Sequence, residues 1–330
     1  MSQSHAMRLS YLKLGEAEIV GLCDVNAESS RRLLETVNRF RNITRQPLTE
    51  EGLFTDYREM LDKLSLEAVV ICTPHVSHYE HVMAALDSGL HVLVEKPMAL
   101  SIREAEDMKK KADQNGLILA VGYQRHVQPE YYYARETIKS GRIGSPHFIV
   151  AWLTQDLRRA IGPRSWYLKP EIAGGGQVIC SGTHLNDIVL WVVDSEPRRV
   201  KALMDMEGSD VEIYASISAE LSNGALANIS ILGDAPEAEV KEELRVWCSR
   251  GALFVIGGRV YVQQKGHGLT CVPPENLQKP SLNLDVNFVR AILGEEECLV
   301  PASCGVNATK LEQMAYEDAR PFPSSLNPVS

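Results

Sequence analysis

In the stretch His91-Val92-Leu93-Val94-Glu95-Lys96-Pro97, a short apolar run is followed by an acidic residue, a basic residue and a proline. An apolar run of this length is typical of a buried strand, and open α/β sheets bind ligands just beyond the carboxyl ends of their strands. Ser101 and Glu104 form a capping box for a helix that should follow, and Gly116 supplies its C-terminal stop. The stretch therefore predicts a strand, a turn in a ligand-binding position and a helix, in that order.

Three other apolar runs extend this pattern over the first part of the chain: Ile19–Cys23, Ala68–Cys72 and Ile118–Val121. They alternate with helix-like segments, and continuous apolar runs are typical of parallel strands buried on both faces. Residues 1–122 are therefore predicted to form a doubly wound α/β domain.

Beyond residue 200 the hydrophobic pattern changes to a period of two. Apolar and polar residues alternate from Val211 to Ser222, which predicts a strand whose solvated face includes Glu212 and Ser218. Asn223-Gly224 and Gly257-Gly258 predict two-residue hairpin turns, because these residues tolerate positive φ. Residues 123–330 are therefore predicted to form a second α/β domain around an open antiparallel sheet.

The composition of the chain argues against two classes of binding partner, nucleic acids and membranes. The chain has 330 residues, 45% of them hydrophobic, and a formal net charge of −9. This acidic balance argues against a nucleic acid partner, and the run Lys109–Lys111 is interpreted as a solvated helix face. Apolar runs such as Ile188–Val193 are much shorter than the roughly 20 residues of a membrane span. Neither a nucleic acid nor a membrane partner is predicted.

Cysteine and histidine usage indicates the compartment and argues against a metal. Seven cysteines without Cys-x-x-Cys spacing predict free thiols, and Met1–His5 lacks the pattern of a secretory signal. A cytoplasmic protein is expected. His75, His78 and His81 lie close in sequence, but no acidic or thiol ligand completes a set, so no metal site is predicted.

The start of the chain poses a question about cofactor binding. Dinucleotide-binding domains open with a strand and a glycine-rich turn that lead into a helix, whereas here Ser4–Leu12 already reads as that helix. We expect Met1 to be an internal methionine, with the strand and turn upstream and Ser2 at the third small position of the turn. The alternative is a natural variant that starts here and binds dinucleotide weakly or not at all.

Asp24 follows the strand Ile19–Cys23, where an acidic side chain would accept hydrogen bonds from the adenosine ribose. The same carboxylate would repel a 2′-phosphate. The predicted cofactor is therefore NAD, with NADP the less favoured alternative.

A second motif lies about 80 residues after Lys96. Gly174-Gly175-Gly176 leads to Gly182-x-His184-x-x-Asp187. His184 and Asp187 are three residues apart and share one face of a predicted helix, and a histidine suits proton transfer near neutral pH.

In these motifs the chain resembles the Gfo/Idh/MocA oxidoreductases, the family of glucose-fructose oxidoreductase and inositol dehydrogenase. The resemblance extends over nearly the whole chain. It rests on Asp24, Thr73-Pro74-x-x-x-His78, Glu95-Lys96-Pro97, Gly122-Tyr123-Gln124-Arg125, Trp166 before the three glycines, and the His184 motif. It implies an N-terminal Rossmann domain and a C-terminal α/β domain whose open sheet often pairs into homodimers or homotetramers.

The resemblance also implies roles for individual residues. Lys96 and His184 would be catalytic: His184 takes the proton of a substrate hydroxyl, and the Lys96 ammonium, braced by charge pairing with Glu95, supports the alkoxide. The residues expected to bind the cofactor are Ser2, Asp24, Thr73, Pro74, His78, Glu95 and Lys96. Those expected around the substrate are Tyr123, Arg125, Arg158, Trp166, Tyr167, Cys180 and Asp187.

One position departs from the family pattern. Polyol dehydrogenases of the family commonly have an aspartate four residues before the histidine, and here that residue is Cys180. A thiol is a weak hydrogen-bond partner, so the relatives' polyol substrates do not carry over directly.

The predicted function is hydride transfer between NAD and a sugar, cyclitol or related hydroxyl compound. Two alternatives stay open. The first is a glycoside hydrolase of the same family that oxidises its substrate transiently, without net redox change. The second is a dinucleotide or sugar sensor without catalytic activity.

Overall fold

The computed structural model describes residues 2–13, 15–40, 46–162 and 165–319. The elements of the first part are α1 (Ser2–Leu9), β1 (Leu22–Cys23), α2 (Ala27–Arg39), β2 (Leu53–Phe54), α3 (Tyr57–Lys63), β3 (Ala68–Ile71), α4 (His78–Asp87), β4 (His91–Val94), α5 (Ile102–Asn115) and β5 (Leu119–Val121). Over the described residues, no helix combines the length and the apolar character that a membrane crossing requires.

The strands of this first part pair in parallel, as predicted. Ile71 of β3 is in register with Val94 of β4, which is in register with Val121 of β5. β1 pairs with β2 in a separate parallel ladder, and no pairing joins β1 to β3 within the described residues. The doubly wound sheet is thus present in two pieces. β1 is shorter than the predicted strand Ile19–Cys23, because only its last two residues pair.

The segment after β4 is fixed by local capping. The Ser101 side chain accepts a hydrogen bond from the Glu104 N–H at 3.2 Å, and Gly116 ends α5 with φ of +65°. Val92, Leu93 and Val94 are fully buried between helices. The turn Glu95–Pro97 therefore follows directly after a rigid strand, at the carboxyl edge of the sheet.

The second part contains α6 (Pro129–Lys139), β6 (Pro146–Thr154), α7 (Leu157–Ile161), α8 (Pro170–Ala173), α9 (Thr183–Val192), β7 (Pro197–Asp205), β8 (Tyr214–Leu221), β9 (Leu226–Leu232), β10 (Lys241–Cys248), β11 (Gly251–Ile256), β12 (Arg259–Gln264), β13 (Thr270–Cys271), α10 (Leu284–Ile292) and α11 (Ala302–Asp318). Within the described residues, eight strands form one sheet in the order β13-β12-β11-β10-β6-β9-β8-β7. Its ladders are antiparallel except for the β6–β9 pair, which is parallel.

One face of this large sheet packs against α6, α9 and α11 to form the main core. The other face carries exposed apolar side chains, among them Leu203, Leu226 and Trp247. The prediction of an open, mostly antiparallel sheet in a second α/β part is confirmed.

Two details of the predicted strand around residue 211 are wrong. β8 begins at Tyr214, and Glu212 is buried because its carboxylate accepts hydrogen bonds from the N–H groups of Gly176 and Val178. The hairpin after β8 has three loop residues, with Leu221 N–H bonded to Ala225 O, and φ is positive only at Gly224. The Gly257-Gly258 turn is as predicted, with positive φ at both glycines.

The last two helices return to the first part of the chain. Leu284, Phe288, Val300 and Ala308 belong to the same buried cluster as β3, β4 and β5. The predicted boundary between the two domains, at residues 122 and 123, stays a prediction. The packing means that the carboxyl edge of β4 is enclosed by residues distant in sequence.

Candidate active site

Lys96 lies where adjacent parallel strands end. Thr73 follows β3, Lys96 follows β4 and Tyr123 follows β5, so the three residues share one edge of the sheet. The Lys96–Pro97 peptide bond is cis. Lys96 is 9% exposed, and its Nζ donates a hydrogen bond to the carbonyl oxygen of Cys180 at 2.5 Å. The two motifs that are about 80 residues apart in sequence are therefore in direct contact.

His184 lies in the first turn of α9, just after a turn of π-helix over Val178–Gly182. Such turns are rare and frequently occur at functional sites. His184 is 8% exposed, and its Nδ1 is buried without a hydrogen-bond partner within the described residues. Burial, followed by the charges of Arg125 and Lys96, lowers its pKa well below the usual value. The imidazole is therefore neutral at physiological pH and free to accept a proton.

The three glycines before His184 allow close backbone packing. A Cβ on Gly175 would lie 2.0 Å from the hydroxyl oxygen of Tyr316, and one on Gly176 would lie 2.1 Å from the carbonyl oxygen of Glu212. Any side chain at these positions would displace the segment that carries Cys180 and His184.

Tyr123 is fully buried beside His184. Its hydroxyl is hydrogen-bonded to Thr183 Oγ1 at 2.9 Å, and its ring meets the His184 ring edge-on with centroids 5.9 Å apart. The contact fixes the orientation of the first turn of α9.

Asp187 is turned towards His126 rather than His184. His126 Nε2 and Asp187 Oδ2 are 2.7 Å apart, while His126 Nδ1 is 3.0 Å from the carbonyl oxygen of Leu299. With Cys304 these side chains bring three metal-ligating atoms within 4.8 Å of one another. The direct His126–Asp187 hydrogen bond already occupies two of those atoms, so the cluster braces α9.

The two arginines expected near the substrate already have partners. Arg125 is buried, and its guanidinium makes a two-pronged contact with Glu242, at 2.5 Å for both hydrogen bonds. The Arg158 guanidinium donates to the carbonyl oxygen of Glu207 at 2.6 Å. Both guanidinium groups are thus already paired, and neither contact favours recognition of a substrate carboxylate.

Trp166 and Tyr167 form an aromatic pair whose rings stack with centroids 3.9 Å apart. His75, which is buried, lies edge-on to both rings and donates through Nδ1 to the carbonyl oxygen of Ala173 at 2.8 Å. Burial lowers the pKa of His75 to about 3, so the ring is neutral. The sequence suggested His75 only as a candidate metal ligand, whereas the structure places it beside these aromatic rings.

Thr73 and His78 belong to one connected group. His78 is fully buried, with Nδ1 2.8 Å from the carbonyl oxygen of Pro97 and Nε2 2.9 Å from that of Thr73. The histidine thus joins the ends of β3 and β4. Pro74 precedes the turn that contains His75.

Asp24 is the residue expected at the adenosine ribose, and Ser2 is the one expected in the glycine-rich turn. Asp24 is exposed at the end of β1, where its Oδ1 accepts from the Asn26 N–H at 2.8 Å. Ser2 is the first residue of α1.

His5 is a site residue that the sequence reasoning missed. This buried side chain on α1 lies between two carboxylates, with Nδ1 2.5 Å from Asp285 Oδ1 and Nε2 3.0 Å from Glu95 Oε1. Burial opposes its charge, but the hydrogen bonds to Asp285, Cys72 and Glu95 raise its pKa to about 12. The signal in the sequence was a histidine one turn before Leu9 on the apolar face of a helix, a position that requires a polar partner.

Glu95 connects His5 to the catalytic turn. Its Oε2 accepts a hydrogen bond from the Lys96 backbone N–H at 3.1 Å. Burial would raise the Glu95 pKa, but the hydrogen bond and charge of His5 lower it overall. The charge of Lys96 also lowers the Glu95 pKa, while the Lys96 ammonium itself is hydrogen-bonded to the carbonyl oxygen of Cys180.

Together, the fold and the site define a two-domain α/β protein whose parallel sheet has a ligand-binding carboxyl edge of the Rossmann type. Residues 1–123 match the family model described as "Oxidoreductase family, NAD-binding Rossmann fold", and residues 131–254 match the model of the GFO/IDH/MocA C-terminal domain. The chain belongs to the Gfo/Idh/MocA family.

Two of the curated relatives are sugar dehydrogenases by name. D-glucoside 3-dehydrogenase of Escherichia coli is 28% identical over 56% of this chain and 48% of its own length. D-xylose 1-dehydrogenase [NADP(+)] of Haloarcula marismortui is 27% identical over 56% of each chain. The chain thus spans about half the length of these curated relatives.

A solved structure extends the likeness of fold to almost the whole chain. An inositol dehydrogenase homolog from Azotobacter vinelandii, complexed with NAD+, superposes with a TM-score of 0.77 at 16% identity. The match covers 94% of this chain and 97% of that one.

Proposed function

We propose that this protein is an oxidoreductase that uses NAD to exchange a hydride with a hydroxyl-bearing carbon of a sugar or cyclitol. The observation that carries the proposal is the contact between the Lys96 ammonium and the Cys180 carbonyl, four residues before His184. It brings one cation and one neutral base to a single edge of the sheet. The names of the curated relatives, all partial matches, support the substrate class.

The residues at this edge suit the nicotinamide end of the cofactor. Thr73, Lys96 and Tyr123 end three neighbouring parallel strands, and ligands of open α/β sheets bind at such edges. NAD, when bound there, would supply the carbon that accepts the hydride. At the other end, the exposed carboxylate of Asp24 suits ribose hydroxyls and disfavours a 2′-phosphate, so we propose NAD rather than NADP.

The chemistry then follows from the protonation states. His184, neutral at physiological pH, accepts the hydroxyl proton of the substrate, and the Lys96 ammonium stabilises the negative charge that develops on the oxygen. The hydrogen on carbon leaves with its electron pair, and the substrate becomes a carbonyl compound. The proton passes to His184 and from there to solvent, so charge and electrons balance.

Cys180 contributes its backbone rather than its thiol in this scheme. Its carbonyl oxygen holds the Lys96 ammonium, while burial raises the pKa of its thiol, which therefore stays uncharged at neutral pH. A substrate hydroxyl that a carboxylate would bind in relatives loses that partner here. We propose that the stacked rings of Trp166 and Tyr167 supply part of the binding energy instead, through contact with a sugar face.

The exposed face of the large sheet suits self-association. Leu203, Leu226 and Trp247 are 64%, 48% and 38% exposed on it, and unpaired apolar faces of this kind commonly mark protein interfaces. We propose a homodimer or homotetramer formed through this face, which light scattering would test. The free state of all seven cysteines supports a cytoplasmic location.

The test is NADH formation, followed by absorbance, with a panel of aldoses, glucosides and inositols and with either NAD or NADP. We expect NADH in stoichiometric amounts with at least one substrate. Lys96→Ala should abolish it, and Lys265→Ala, which removes an exposed lysine, should not. Product without NADH would favour the hydrolase, and binding without turnover would favour the sensor. Full activity of Lys96→Ala would contradict the assignment.

A further inference from the structure

A cavity of about 280 Å³ lies behind the segment that follows Lys96. One wall consists of Ala99 and Leu100, a second of Gly174 and Ile179, and the third is α11. Lys96 and His184 are not among its lining residues. The cavity is therefore separate from the proposed redox site, although the two share the segment between them.

The α11 wall carries two polar side chains whose hydrogen-bonding capacity is not fully used. Thr309 and Glu312 are one helical turn apart and only 2% and 1% exposed. Thr309 Oγ1 and Glu312 Oε2 have no hydrogen-bond partner within the described residues. The other carboxylate oxygen of Glu312 accepts from the Asn186 amide at 3.2 Å. Leaving such buried atoms unsatisfied is costly, so the two oxygen atoms favour a bound ligand or water.

The remaining polar groups of the wall are already used. Gln313 Oε1 accepts from the Ile102 N–H at 2.8 Å, and its amide donates to Glu317 at 2.6 Å. The Tyr316 hydroxyl donates to Glu212 at 2.8 Å. The lining residues that the structure describes include no lysine, arginine or histidine. What is left among the buried lining atoms is a pair of oxygen atoms, one of them on the carboxylate of Glu312, whereas the second carboxylate of the lining, Glu317, is exposed.

The two oxygen atoms, Glu312 Oε2 and Thr309 Oγ1, favour a positively charged ligand. Oxygen ligands without nitrogen or sulfur argue against zinc and similar metals. Calcium and magnesium are generally held by several carboxylates or by phosphate groups, whereas a single buried carboxylate is balanced by one positive charge. We propose that the cavity binds a monovalent cation, K⁺, Na⁺ or NH₄⁺, through Glu312 Oε2 and Thr309 Oγ1, with water completing its coordination.

The ionisation of Glu312 is opposed by its burial. Burial raises its pKa to about 8, against hydrogen bonds from Thr183 and Asn186 that lower it. The ionisable groups around it are Lys96, Asp187, Tyr123 and Tyr316.

The first test compares thermal unfolding in potassium chloride and in choline chloride at equal concentration, about 100 mM, since choline matches the ionic strength but is too large for the oxygen pair. Potassium should raise the midpoint by about 2 °C relative to choline. Glu312→Gln and Thr309→Val should lose this difference. Thr309→Ser, which keeps the hydroxyl, and Glu35→Gln, which changes an exposed glutamate on α2, should retain it.

Anomalous diffraction from crystals soaked in rubidium chloride provides a direct second test. A peak at about 3 Å from both Glu312 Oε2 and Thr309 Oγ1 would support the proposal. Equal midpoints in potassium and choline, or a cavity without an anomalous peak, would overturn it. Activity with NAD is not needed for either measurement, so failure here leaves the proposed dehydrogenase function unaffected, and the reverse also holds.

Discussion

His5 and His184 are both buried, 3% and 8% exposed, yet their pKa values shift in opposite directions. His5 lies between the carboxylates of Asp285 and Glu95, which raise its pKa to about 12. His184 has no carboxylate partner within the described residues, and burial lowers its pKa well below the usual value. The comparison shows that the surroundings, rather than depth in the protein, decide whether a histidine holds a structure together or is free to take a proton.

The two regions are also connected. Glu95 accepts from His5 through one oxygen and from the Lys96 backbone through the other. The charged histidine thus fixes the turn from which Lys96 reaches Cys180. The uncharged histidine lies in the first turn of α9, where a fixed positive charge on the ring would prevent it from accepting a proton. His5 must be charged to hold Asp285 and Glu95, and His184 must be neutral to accept a proton. Exchanging their surroundings would remove both of these protonation states.

The largest expected effect follows from removing the base. His184→Asn should lower kcat by about 10²- to 10⁴-fold, because general base catalysis contributes that much, while the unfolding free energy changes little. Steady-state kinetics on an active substrate would measure this. His267→Gln, which alters an exposed histidine, is the control and should keep full activity. A His184→Asn enzyme with wild-type kcat would show that the neutral histidine is a core residue only.

His5→Ala should act on stability instead. It leaves Asp285 and Glu95 buried without their shared partner, which costs about 3–5 kcal/mol for broken buried ion pairs. Urea unfolding followed by circular dichroism would measure the loss. A change of less than about 1 kcal/mol would mean that the His5 charge is unimportant to the fold.

The pH dependence of stability sharpens the same contrast. The folded-state pKa of His5 is raised to about 12 from an unfolded value of 6.5. Its stabilising contribution is therefore complete below pH 6.5 and decreases as the pH rises towards the folded value. The difference in unfolding free energy between the wild type and His5→Gln should accordingly shrink from about pH 7 to about pH 10. A difference that grows over this range would contradict a protonated His5.

The smallest expected effect concerns the residue beside His184. Tyr123→Phe removes the hydroxyl that bonds to Thr183 Oγ1 at 2.9 Å but keeps the ring. We expect a loss of about 1 kcal/mol in stability, typical of one hydrogen bond, and a modest drop in kcat. A loss of activity as large as that of His184→Asn would mean that the hydroxyl takes part in the reaction.

Local sequence patterns predicted the elements that depend on neighbours along the chain. The apolar run His91–Val94 is a strand, the capping box at Ser101 begins α5, and Gly257-Gly258 forms a hairpin turn. These features require only side-chain periodicity and backbone preferences. The meeting of Lys96 with the His184 segment was inferred from the resemblance to a family rather than from such patterns.

Contacts between distant segments were out of reach for the same reason. His5 and Asp285 are 280 residues apart, Arg125 and Glu242 are 117 apart, and Glu212 turns inward to a glycine 36 residues before it. By its local pattern Glu212 belongs to the solvated face of its strand, and Arg125 is one of the residues expected around the substrate. Burial and pairing were decided by the tertiary fold, which a single sequence does not specify residue by residue.

The most direct test of this account is the NMR titration of the nine histidine rings, with two signals assigned by their loss in His5→Gln and His184→Asn. We predict that from about pH 5.5 to about pH 8.5 the His5 signal keeps the chemical shift of a protonated ring. The His184 signal should keep that of a neutral ring over the same range. Titration of either ring near its ordinary pKa of about 6.5 would contradict the assignment of one histidine as a fixed charge and the other as the base.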